Sequence, residues 1–173
     1  RVSGGWIGWE ATNLRGIAED LAFVPLAGQG VRAGSDVEIA ALVNRALDAA
    51  IDAGRVSARM VNLQGSLGFR RALRDALLAL RTAGISAESI RSAAAVASDS
   101  PAHDLPAVLD EYESLLASHK LTDPAGLLRA ALEAFDTESE FVLDAEIARL
   151  PNLSTRGLPG HFLRRLIARG ARP

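Results

Sequence analysis

Gly68-Phe69-Arg70-Arg71-Ala72-Leu73-Arg74-Asp75-Ala76-Leu77-Leu78-Ala79-Leu80-Arg81 occupies the middle of the chain. At 100° per residue Phe69, Leu73, Leu77 and Leu80 fall on one stripe, so the spacing predicts an amphipathic helix. It should run from about Ser66 to Ala83, stop at Gly84, and span about 27 Å at 1.5 Å per residue. Arg70, Arg74 and Arg81 form a band directly beside the stripe. Arg71 lies further round, four residues before Asp75.

Working outward, the neighbouring segments carry helix signals of the same kind. Ser35 with Glu38 is a capping box, followed at helical spacing by Ile39, Val43, Ala46, Leu47 and Ala50 and closed by Gly54. Ser86 starts another helix, with Ile85 and Ile90 placed as a hydrophobic staple, and Ser98 to Asp104 reads as a loop. Pro106 opens a helix with Val108, Leu109, Tyr112, Leu115 and Leu116 inward, ended by the cations His119 and Lys120. Asp123-Pro124 is a cap plus first-turn proline for a helix through Leu127, Leu128, Ala131, Leu132 and Phe135.

The ends read differently. Residues 1–34 are glycine-punctuated and irregular, with a short helix from Leu14 to Phe23 that Pro25 should end. Phe141-Val142-Leu143 is the best strand candidate, and Leu158 to Ala168 returns to helix. The fold expected is therefore mainly α, a helical bundle with a single short strand and a helix near the C-terminus. It divides into an irregular lead-in (1–34), a helical accessory domain (35–136) and a strand-helix return (137–173). A lone strand cannot satisfy its own backbone groups, and the chain opens at Arg1 and closes on Gly170-Ala171-Arg172-Pro173. Both features raise the expectation of a piece excised from a larger protein.

Composition narrows the function classes. The 173 residues are 49% hydrophobic and only 5% aromatic, so small aliphatic side chains must build the core. The net charge of -2 advertises no polyanion partner, so any nucleic-acid contact must come from a local patch. With no cysteine there are no disulfides or thiolate metal sites, which fits a reducing cytosol and a cytoplasmic location. No apolar run approaches membrane-spanning length, so no membrane partner is expected. The sequence has no phosphate loop, no His-Glu-x-x-His, no Gly-x-Ser-x-Gly and no calcium loop, and we expect no cofactor and no self-contained active site in this chain.

Two groups remain as candidate binding residues. Arg70, Arg74 and Arg81 would project in one direction over about three turns, and guanidinium groups suit phosphate oxygens; equally, arginines flank buried stripes with their stems covering apolar surface. Trp6 and Trp9, set among glycines, would offer a flat surface for stacking bases or serve as core anchors. Tyr112 should pack inward with its hydroxyl on a polar partner.

The segments Gly68 to Ile85, Leu109 to Leu116 and Leu121-Thr122-Asp123-Pro124-Ala125-Gly126-Leu127-Leu128 together resemble the helical 1B insertion of UvrD-like superfamily helicases. The likeness, over roughly residues 35 to 135, is nearest to AddB-type subunits of bacterial helicase-nucleases, which join a helicase-like front to a PD-(D/E)XK nuclease. The resemblance implies that Phe141 to Glu146 corresponds to the strand bearing the second ATPase motif. Asp144-Ala145-Glu146 lacks that motif's adjacent acid pair, which implies a degenerate helicase-like module serving as scaffold or DNA reader. Expected partners are then DNA and the remainder of a larger helicase-nuclease chain or a partner subunit. The competing expectation is a helical protein-interaction module that docks a partner subunit without touching DNA.

Overall fold

Side-chain caps set where the helices begin. Asn13 accepts from the Gly16 amide at the start of α1 (Leu14–Gly28). Serines do the same for the next four: Ser35 for α2 (Asp36–Asp52), Ser57 for α3 (Ala58–Leu63), Ser66 for α4 (Leu67–Thr82) and Ser86 for α5 (Ala87–Ala94). Each hydroxyl satisfies an amide that the helix itself cannot. A single 3-10 turn (Pro101–Asp104) leads into α6 (Leu105–Ser118), and Asp123 caps α7 (Pro124–Thr137) through the Gly126 amide at 2.8 Å. The last element is α8 (Gly157–Ala168). This computed structural model describes residues 12–95, 101–137 and 156–170.

The buried faces assemble two apolar clusters. One joins α2 (Val43, Ala46, Leu47) to α6 (Val108, Leu109, Leu116), with Leu73 and Leu77 of α4, Met60 of α3 and Ile90 of α5 around them. The other joins α1 (Ala18, Ala22) to α7 (Leu127, Ala131, Phe135) and α8 (Phe162, Leu166). Alanines on α1 let it lie close along α7, and the Phe135 and Phe162 rings meet at 5.6 Å, tilted by 47°.

Between the clusters runs a seam. A two-stranded parallel sheet, β1 (Arg32–Ala33) on β2 (Leu121–Thr122), ties the α1–α2 connection to the α6–α7 connection through Arg32 N–H to Lys120 O and Gly34 N–H to Thr122 O. Lys120, at φ 53°, turns the chain from α6 into β2. Gly157, at φ 62°, lets α8 start directly against the end of α4, where an added Cβ would lie 2.7 Å from both Ala83 Cα and Thr82 O.

The mainly α architecture matches the sequence reading, with four differences. The lead-in helix starts at Leu14 as expected, but α1 does not end at Pro25 and passes through it to Gly28. Proline there removes one amide in the last turns, and packing of the helix on α7 outweighs that local loss. The 3-10 turn lies inside the expected 98–104 loop, and α3 was not anticipated. The described strands are β1 and β2, whereas the expected strand Phe141 to Leu143 lies outside the described residues. No helix among the described residues is long and apolar enough to cross a membrane.

Candidate functional site

The arginine band of α4 is the natural place to look for a site, and its three guanidinium groups have different fates. Arg70 donates from Nε to the Gln64 carbonyl and from a terminal nitrogen to Asp48 of α2, each at 2.6 Å. Its side chain retains 24% exposure. Arg74 bonds Asp75 at 2.8 and 3.0 Å and keeps 35% of its side chain exposed. Arg81 is buried, with only 4% of the residue accessible.

Arg81 is the centre of a polar knot at the seam. Its Nε donates to Asp123 Oδ2 at 2.6 Å and a terminal nitrogen to Asp123 Oδ1 at 3.2 Å, the forked geometry that suits guanidinium and carboxylate. Its other terminal nitrogen donates to Glu113. Below the guanidinium, at 5.5 Å, lies the ring of Tyr112, whose hydroxyl donates to Asp123 Oδ2 at 3.3 Å. Asp123, 1% exposed, thus serves α4, α6 and the cap of its own helix at once. No buried side-chain nitrogen or oxygen among the described residues lacks a partner, so this knot is satisfied throughout.

The electrostatics follow from that geometry. Burial pushes the Tyr112 hydroxyl far above its ordinary value, and the neighbouring Asp123 charge adds to the effect. Burial opposes the charge on Arg81, but the hydrogen bond and charge of Asp123, with Glu113 behind them, more than offset it and leave its pKa raised.

Arg81 therefore cannot be the surface DNA contact that its place beside the apolar stripe allowed. Its head is inside the fold because two carboxylates from α6 and the α7 cap meet it there. Arg70 and Arg74 do lie at the surface, each already holding a carboxylate. Trp6, Trp9, Asp144 and Glu146 lie outside the described residues. Tyr112 packs inward with its hydroxyl on a polar partner, as its position on the helix implied. Among the described residues no cluster of three or more His, Asp or Glu side chains is placed to hold a metal ion.

A second feature had no sequence signal. An apolar groove of about 420 Å³ opens between α3 and α4, lined by Met60, Leu63, Phe69, Leu73, Ala76 and Leu105. One wall is the six-residue α3, which is too short for periodicity to reveal. Compared with protein family models, with curated proteins and with solved structures, the chain matches none.

Proposed function

We propose that this chain is an accessory helical domain of an ATP-dependent helicase-nuclease-like protein of DNA recombination and repair, and that its part there is that of a scaffold. One observation carries the reading. The three separate segments that resemble the helicase 1B insertion supply Arg81, Tyr112 with Glu113, and Asp123, the members of one buried knot. A resemblance distributed over segments that share a structural joint is what a common frame would produce.

The same knot favours scaffold over DNA reader. One arginine of the band is consumed inside the fold and the other two are paired, which leaves Arg71, off the band, as the α4 arginine that holds no carboxylate among the described residues. Polyanion binding needs cations that can exchange small counterions for phosphates.

The test has two arms. In a duplex titration of this chain from about 50 to 200 mM salt, the scaffold role expects weak binding whose slope is unchanged by Arg70→Ala with Arg74→Ala. Steep salt dependence lost in that double variant would restore the DNA-reader role. In the second arm the full-length parent protein, with any partner subunit, is assayed for ATP-dependent unwinding and degradation of duplex DNA. No ATP-dependent action on DNA would overturn the helicase-nuclease reading itself.

A further inference from the structure

We infer that the outer face of α8, together with Arg129 of α7, binds the phosphate backbone of a nucleic acid through Arg129, Arg156 and Arg164. The inference does not rest on the helicase-nuclease reading, and it leaves α4 out of any such contact.

The first argument is how charge is distributed along the chain. All 21 Asp and Glu lie in residues 1–155, with 14 of the 19 Lys and Arg; the other five, all arginine, lie in residues 156–173. The net charge of -2 thus conceals an acidic body and a purely cationic stretch, the asymmetry that a local polyanion contact needs.

The second argument is which of these cations are unspent. Arg165 pairs with Asp136 of α7, and Arg169 donates to the Phe135 carbonyl at 2.6 Å. Arg156 and Arg164 are exposed and hold no carboxylate among the described residues. Asp136 also fixes which face of α7 borders α8. Arg129, two turns earlier, stands on that same face, half-buried and likewise without a carboxylate. Glu133 turns instead toward α1, where it lines a hollow with Val24 and Pro25. Even with Glu133 set against them, Arg129, Arg156 and Arg164 leave this surface net positive.

The third argument is what kind of polyanion fits. The stripe of α8 that faces away from the fold carries His161, Arg164 and Ala168, all exposed, while Phe162, Leu163 and Leu166 are buried. That stripe has no large apolar side chain to enter a bilayer and no anchor of the kind that dominates protein interfaces. Guanidinium groups beside small residues suit phosphate oxygens, which a nucleic acid offers at regular spacing. Arg156 and Arg164 are separated by about 12 Å of helix rise, roughly three to four rises of 3.4 Å along one strand.

The test is titration of this chain with a labelled mixed-sequence DNA duplex, and with one of its single strands, between about 50 and 200 mM salt. On the duplex three phosphate contacts give a slope of about -2.7 in log affinity against log salt, roughly a 40-fold loss over that range. Arg156→Ala with Arg164→Ala should reduce the slope to about -0.9 and the loss to roughly three- or fourfold, and adding Arg129→Ala should abolish binding. Arg156→Lys with Arg164→Lys keeps the charge and should keep the slope. Arg59→Ala, which removes an exposed arginine of α3 that holds no carboxylate, should leave the slope as it is. So should Arg70→Ala with Arg74→Ala, so the α8 contact and the scaffold role of α4 are read from different variants. No binding to either DNA at the lowest salt, a slope untouched by the Arg156 and Arg164 pair, or one lowered equally by Arg59→Ala would overturn the proposal. Tighter binding to phosphatidylserine vesicles or to polyglutamate than to DNA at the same salt would also overturn it, because the partner would then be a membrane or an acidic protein.

Discussion

Replacing Arg81 with methionine should be among the most damaging single changes to this fold. Methionine keeps an unbranched apolar stem in the same place, so what is lost is the guanidinium and its two bonds to Asp123, at 2.6 and 3.2 Å. Asp123 would be left buried with the Gly126 amide and the Tyr112 hydroxyl but no counter-charge. Breaking a buried pair from one side costs about 3–5 kcal/mol, and the two remaining donors place this case near 3. The Glu113 contact adds little, because that carboxylate is 42% exposed and water replaces its partner.

Asp123→Asn should cost less, about 2 kcal/mol, since the amide oxygen still caps α7 and Arg81 keeps Glu113. The double variant should cost about 3 kcal/mol, not the about 5 that independent effects would give, a coupling of about 2 kcal/mol. Urea unfolding followed by circular dichroism measures all three, as shifts of midpoint at constant slope. An Arg81→Met cost below about 1 kcal/mol would mean that the pair behaves like an exposed one. Additive single costs would mean that the two residues do not act through each other. Either result refutes the reasoning.

Gly157→Ala should destabilise by about 3 kcal/mol, combining left-handed strain with contact against Ala83, whereas Gly54→Ala, at φ 64° with open space around it, should cost only about 1; thermal unfolding of both separates crowding from strain. Glu38 is held at about 2, first by the hydrogen bond from Arg32 and then by the Ser35 amide and hydroxyl. Because its folded pKa is depressed, its stabilising effect is present above the ordinary value of 4.5 and disappears as pH falls towards about 2. Unfolding midpoints measured across that window should fall less steeply for Glu38→Gln, and an unchanged slope would count against the capping box. Tyr112 is the one tyrosine of the chain, so tyrosinate absorbance reports it alone. Its folded pKa is raised, so the unfolded state ionises first and stability should decline above pH 10. Absorbance should rise only together with loss of helix, and a rise in the folded protein would show an accessible hydroxyl.

Local chemistry was legible and distant chemistry was not. Ser35, Ser66, Ser86 and Asp123 announce their helices because a cap acts on an amide within three residues. Gly54 and Gly84 announce two ends because left-handed φ values of 64° and 80° suit glycine. The six residues of α3 and the two-residue strands are too short for any period to emerge, so the groove that α3 helps to form was invisible. The route of α1 past Pro25 depends on α7, about a hundred residues away. Arg81 is the clearest case. Its angle on the helix places it beside the apolar stripe, but whether it faces water or the interior is decided by Glu113 and Asp123, 32 and 42 residues further on.

That decision has a consequence for how the two apolar clusters are held together. Apolar contact is non-directional, so a seam made only of aliphatic side chains would tolerate sliding of α7 and α8 along α4. Asp123 prevents this by tying the first turn of α7 to a guanidinium fixed on α4, with both oxygens used and the Tyr112 ring beneath. β1 on β2 fixes the same junction from the α1–α2 side through backbone bonds that are equally directional. Gly157 brings the start of α8 against the last turn of the same α4 helix. The helix that looked from its sequence like a basic surface is therefore the strut on which both halves are registered, with its most buried arginine serving as the fastening. Under the scaffold role, removing positive charge from Arg70 and Arg74 should leave the salt slope of any DNA binding unchanged, while removing the charge of Arg81 should unsettle the fold.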